Sequence, residues 1–171
     1  ISLLACFYFF LQLSWMSKIS AFAFFGLTLL YTLPFFPNKQ NARNWKGVKI
    51  YIVGITWVGV TVILPLVEAG ISFSTDVLLM ALQRFLLIFS MVLVFDIVDV
   101  KQDDIHLQTV PQKIGVEPTK KLGYVLLLLL LISEFFYTNN HHFLPFFFKL
   151  LVCGMIAVFL FFANENRSRY Y

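Results

Sequence analysis

A chain of 171 residues that is 60% hydrophobic and only 13% charged departs from soluble globular proteins, which average roughly 45–50% apolar and about 25% charged residues. With 21 Phe, such a composition excludes a water-exposed globular domain and implies an integral membrane protein, because lipid accepts aromatic surface that water would drive to aggregate. The formal charge of +4 does not point to nucleic acid, since the basic residues fall between apolar runs and form no continuous face.

In chain order, the first apolar run covers residues 1–14 and is short for a crossing at about 1.5 Å per residue. Opening on Ile1, it reads as the remainder of a longer segment cut at the N-terminus. No basic stretch precedes it and no small-residue cleavage site follows, which argues against a signal peptide. The second run, 19–36, is stopped by Pro34 and Pro37, because proline removes a backbone donor and restricts the residue before it. A polar loop, 38–49, then carries Lys39, Arg43, Lys46 and Lys49.

The third run, 48–67, is long enough to cross, and Pro65 is expected to break or kink its last turn. After a short acidic connection with Glu68 and Asp76 comes the fourth run, 77–98. The fifth, 122–137, follows Lys120 and Lys121, and the sixth covers 143–163. The tail, 164–171, ends without a closing element, so the C-terminus also reads as cut. No fixed-period repeat and no linker divides the chain. The reading is one all-α domain over 1–171, a polytopic transmembrane helix bundle of about six spans. Cys6 and Cys153 lie inside apolar runs without metal or disulfide spacing and read as small apolar side chains.

Six alternating crossings sort the basic residues into two groups. Lys39, Arg43, Lys46, Lys49, Lys101, Lys113, Lys120, Lys121, Arg167 and Arg169 share one side, Lys18 and Lys149 the other, and Arg84 lies within a span. The positive-inside rule puts the first group in the cytoplasm. Arg84 is an intramembrane arginine, for which an ion pair with Glu68 or Glu134 is favoured over contact with a substrate.

The chemistry concentrates at the end of the fourth run, where Asp96, Asp99 and Asp103 stand at i, i+3 and i+7. On a helix these positions lie within roughly 60° of one another. Such a face repels itself unless a cation joins it. Clustered aspartates are hard ligands for Mg²⁺ or Mn²⁺, and Mg²⁺ commonly combines one or two carboxylates with substrate phosphate oxygens. A diphosphate would also need basic donors, available on the same side from the 38–49 loop and Lys101. The plain alternative is a solvated acidic cap. Asp104 reads as a solvated or supporting acid, His106 as solvated, and His141 and His142 as loop residues on the opposite side.

Residues Phe95-Asp96-Ile97-Val98-Asp99-Val100-Lys101-Gln102-Asp103, followed by Thr109-Val110-Pro111-Gln112-Lys113-Ile114-Gly115, carry the pattern DxxDxxxD and then T-x-x-x-x-I-G. This resembles the second aspartate-rich motif of the UbiA-type membrane prenyltransferases. More weakly, Tyr31, Pro34, Lys39 and Arg43 look like the family's aromatic and basic connection that grips a prenyl diphosphate. The resemblance covers roughly 31–163.

It implies part of a nine-helix bundle in a membrane, expected to be a bacterial inner membrane, with the acids at its cytoplasmic side. Mg²⁺, or Mn²⁺, would join Asp96, Asp99 and Asp103 to a polyprenyl diphosphate held by Tyr31, Lys39, Arg43 and Lys101. The prenyl group would pass to an aromatic or other lipophilic acceptor. The family's first motif, NDxxDxxxD, is absent from these residues, so this stretch alone is expected to be inactive. A non-enzymatic membrane protein, either a degenerate relative or a divalent-cation-binding transporter, is the alternative.

Overall fold

The computed structural model describes residues 2–33, 47–103, 107–137 and 143–165, and among them every regular element is helical. Helix α1 is Ser2–Gln12 and α2 is Trp15–Thr32. Between them Ser14 caps α2, its hydroxyl accepting from the Ser17 N–H, while its own N–H donates to Glu68 Oε2 at 3.0 Å. Helix α3 is Lys49–Glu68 and α4 is Thr75–Asp99. A short helix α5, Val110–Ile114, leads through Gly115 into α6, Val116–Ser133, and α7 is Phe143–Phe162.

Apart from the short α5, these helices follow the six apolar runs in order. Three of them, α3, α4 and residues Leu144–Phe162 of α7, are long and apolar enough to cross a membrane. The others are less suited for visible reasons. Helix α1 has 11 residues, α2 mixes Lys18 and several hydroxyl residues into its run, and α6 opens with Glu117, Lys120 and Lys121.

Pro65 does not break α3. The helix runs past it to Glu68, and the accommodation lies just upstream, where Gly59–Ile63 forms a π-helical turn and the Leu64 N–H reaches back to the Gly59 carbonyl. A proline clashes with the carbonyl four residues earlier and lacks the hydrogen to satisfy it; one wide turn relaxes both defects without ending the helix.

Helix α4 is central. It packs on α3 along one side and on α6 and α7 along the other, while α2 packs on α3 and touches α1 through the Phe10 and Phe22 rings. Leu86 and Ile97 of α4 meet Leu127 and Leu130 of α6 and Cys153, Ile156 and Leu160 of α7 in the main core. The outward faces carry exposed Phe and Leu, among them Phe22, Phe25, Phe148, Phe159 and Phe161, as expected of surface that meets lipid.

Close helix approach is made by glycine, as is common where backbones pack tightly in membranes. A Cβ at Gly123 of α6 would lie 2.7 Å from Leu160 Cδ1 of α7, and Leu160 is fully buried, with no space to retreat into. Gly123→Val is therefore expected to destabilise the bundle by about 1–3 kcal/mol through overpacking. Combined with Leu160→Ala it should cost at least about 0.5 kcal/mol less than the two single changes added together. Thermal unfolding of the three variants in detergent checks this, and strict additivity would show that the contact is not strained.

Candidate functional site

Helix α4 ends at Asp99, but the chain keeps one further turn: the Asp103 N–H donates to the Asp99 carbonyl at 2.8 Å, and so does the Gln102 N–H, also at 2.8 Å. Asp96 and Asp99 are thus on the helix, whereas Asp103 belongs to the turn after it. That corrects the single helical face expected for the three carboxylates. The i to i−4 bond to Asp103 nevertheless keeps its side chain on the side of Asp96.

The cation that this acid face requires comes from the protein itself. Lys49, the first residue of α3, places its Nζ 2.8 Å from Asp96 Oδ1 and 3.8 Å from Asp103 Oδ2. Asp96 is only 2% exposed. A carboxylate so far from water must be paired, and Lys49 meets that demand while crossing from α3 to α4. Asp99 is half-buried and close enough to Asp96 to add to the negative field there. Asp103 Oδ2 is buried and receives no hydrogen bond, so the cluster keeps one carboxylate oxygen with no donor of its own.

Local structure explains how Lys49 arrives. Gly47 has φ +69°, the left-handed region that glycine enters without strain, and its N–H donates to the Leu107 carbonyl at 3.0 Å. This ties the entry of α3 to the segment after the acids. Gln112 closes the same corner, accepting from the Thr109 N–H at 2.9 Å and donating to the Asp103 carbonyl at 3.2 Å. Pro111 takes an early position in α5, where its missing N–H costs nothing. Gly115, φ +88°, then turns the chain into α6, and its carbonyl accepts from the Thr119 hydroxyl at 2.7 Å. The Thr and Gly of the sequence motif therefore act as structural turns that fold the chain back beside the acids.

Tyr31, in the last turn of α2, lies within electrostatic reach of Lys49. It borders a cavity of about 190 Å³ with Thr28, Ile52 and Trp57. Lys101 is exposed and pairs with Glu165 at 3.0 Å. Lys39 and Arg43 lie outside the described residues, as do Asp104, His106, His141 and His142. Among the described residues Arg84 forms no ion pair, contrary to the pairing expected for it. Glu68 accepts from Ser14 instead, and Glu134 binds Lys149 and Gln83.

Two contributors were missed in the sequence. Within the 38–49 loop Lys49 could be read only as one of several possible diphosphate donors, because nothing in a linear pattern shows which basic residue will face an acid 47 positions later. Gln112 did leave a signal, since Thr109-Val-Pro-Gln112 has the form of a capping box.

The donor set suits a hard divalent cation in a limited way. Asp96 and Asp103 offer carboxylate oxygens around one cationic position, and Asp103 Oδ2 lacks a donor. No group of three metal-ligating side chains close enough to hold a metal occurs among the described residues, so further oxygens would have to come from a bound phosphate or water, as is usual for Mg²⁺. No protein-family model, curated protein or solved structure matches this chain.

Removing one partner of a buried ion pair strands the other. Lys49→Met is expected to destabilise the protein by about 3 kcal/mol, near the lower end of the range for such pairs because Lys49 keeps 19% side-chain exposure. Lys49→Met with Asp96→Leu should recover most of that loss. Melting temperatures in detergent decide, and a double variant less stable than Lys49→Met would refute the pairing as the source.

Proposed function

We propose that this chain is part of a membrane prenyltransferase of the UbiA type, in which Asp96, Asp99 and Asp103 hold Mg²⁺ against a polyprenyl diphosphate. The observation that carries the reading is the arrangement at the end of α4: two aspartates share one cationic position, and Asp103 Oδ2 has no donor. The motif beginning at Asp96 and continuing to Gly115 supports it, with Tyr31 and Lys49 at the same end. The six runs would be six spans of the larger bundle, oriented with this end in the cytoplasm by the basic residues around it.

Bound Mg²⁺ would supply the positive charge that stabilises a departing diphosphate. The chain's own residues do the rest. Asp96 and Asp103 present oxygens from a wall that excludes water, where electrostatic interactions are stronger than in solution. Lys49, which faces Asp96 and Asp103, carries the charge to meet a diphosphate oxygen at the same place. Tyr31 borders the same end and can donate its hydroxyl, and Lys39, Arg43 and Lys101 are further donors on the same side in this reading. The apolar helices beyond would shelter an isoprenoid chain and a lipophilic acceptor from water.

A second reading rests on the Lys49 contact itself. An internal ammonium already satisfies Asp96, as it would in a non-enzymatic membrane protein that uses the pair only to join α3 to α4.

The readings part on metal binding. Mn²⁺ titration followed by electron paramagnetic resonance should show binding that farnesyl diphosphate tightens at least tenfold, and Asp103→Asn should abolish that enhancement. In the full-length protein, Asp99→Ala should lower Mg²⁺-dependent transfer of a labelled prenyl group at least a hundredfold. Mn²⁺ binding indifferent to the diphosphate, or no binding at all, would favour the non-enzymatic reading.

A further inference from the structure

At the opposite end of the bundle, α4, α6 and α7 enclose a second polar group inside apolar surroundings. Gln83 of α4 is buried and donates through Nε2 to Ser133 Oγ at 3.1 Å and to Glu134 Oε2 at 2.9 Å. Lys149 of α7 donates to Gln83 Oε1 at 3.0 Å, pairs with Glu134 Oε2 at 2.5 Å, and sits 5.1 Å from the centre of the Tyr137 ring. This network is internally satisfied, because the one ammonium, the one carboxylate and the one carboxamide answer each other. It forms the polar wall of a cavity of about 420 Å³ whose other walls include Leu87, Leu130, Phe148 and Val152.

Arg84 borders the same cavity and takes no part in the network. It is exposed, lies within a helix long and apolar enough to cross a membrane, and has no ion pair among the described residues. Asp76, the nearest acid on its own helix, is eight residues away, a rise of about 12 Å. An arginine at such depth is costly unless an anion or water meets it. Lys149 is neutralised by Glu134, so among the described residues the charge left on the cavity is the guanidinium of Arg84.

We propose that this cavity binds a lipid-like monoanion, with its acidic head on Arg84 and its hydrocarbon tail along Leu87, Phe148 and Val152. The volume lies within the roughly 300–1,000 Å³ typical of small-molecule pockets, which pair apolar walls with a few placed polar groups. A guanidinium offers a planar fork that a carboxylate or phosphate can meet with two parallel hydrogen bonds. Leu87 lies one turn further along α4 towards the bundle centre, so a tail would run inward along the helix while the head stays with Arg84. The site is separate from the carboxylates, since Arg84 and Asp96 are twelve residues apart on one helix, about 18 Å by rise. It stands whether or not the chain is a prenyltransferase.

Thermal shifts of the 171-residue chain in dodecyl maltoside, titrated with oleate, oleyl alcohol, phosphatidylglycerol and phosphatidylcholine, test it. Saturable stabilisation by oleate or by phosphatidylglycerol is expected, at least tenfold tighter than by the neutral or zwitterionic partner of the same chain length. A response to oleate alone assigns a free fatty acid; a response to phosphatidylglycerol assigns a bilayer lipid. Arg84→Gln should remove the preference for the anion, and Val152→Trp, which fills the apolar end, should remove saturable binding of either. Equal binding of oleyl alcohol and oleate, an unchanged preference in Arg84→Gln, or full binding in Val152→Trp would each overturn the proposal.

Discussion

The contact between Lys49 and Asp96 is the constraint on which the acid end of this molecule depends. Asp96 sits at the end of an apolar helix, turned into the bundle, and at 2% exposure it cannot rely on water for solvation. The alternatives are a neutral acid, a bound cation or a protein cation, and the fold supplies the last. Because Lys49 begins α3 and Asp96 is near the end of α4, their bond fixes the relative height of the two helices, one of the principal packed pairs of the bundle. The glycine turn at Gly47 and its bond to Leu107 follow from it, since the chain must enter α3 where the ammonium can reach.

The same logic recurs at the far end with different residues. There Glu134 and Lys149 answer each other, and Gln83 connects them across three helices. The bundle thus has an ion pair near either end of α4 and an almost wholly apolar stretch between, with Ser90 the only buried polar residue of α4 in that interval, its hydroxyl turned back onto the Leu86 carbonyl. Buried pairs add little net stability compared with good apolar packing, but they penalise wrong registers severely. In a bundle whose helices are otherwise uniformly greasy, sliding α3 or α7 by one turn along α4 would strand a charge. Register is therefore set by the polar ends, and tightness by contacts such as Gly123 with Leu160.

The sequence made the helices legible because apolar runs separated by charge and proline leave few other options. The stop near Pro34 and the acids at the end of α4 could both be placed from residue types alone. Residue types predict a break or kink at Pro65; the helix does not break there but continues to Glu68 with a π turn just upstream. Arg84 did not find Glu134 because Lys149 was closer to it in space, a competition decided by the packing of α7. Lys49 was indistinguishable from its basic neighbours until the fold chose it. For Arg84 and Lys49 the outcome turned on contacts between different helices, and residue spacing carries no information about those.

Lys49 supplies the positive charge for an acid cluster whose members would otherwise repel one another. Without Lys49 the three carboxylates would repel one another and pull the last turn of α4 apart; with it, the site is assembled before any ligand arrives. If the end of α4 takes up a metal, as proposed, that metal would have to compete with a covalently tethered cation whose local concentration is very high. A metal bringing a diphosphate would be better placed to win that competition than one arriving alone, since the ammonium could then take phosphate oxygens as new partners and no charge would be stranded. Exchange of one cation for another would then couple metal and diphosphate binding through a single lysine, and would keep an empty site from taking up metal that has no substrate to act on.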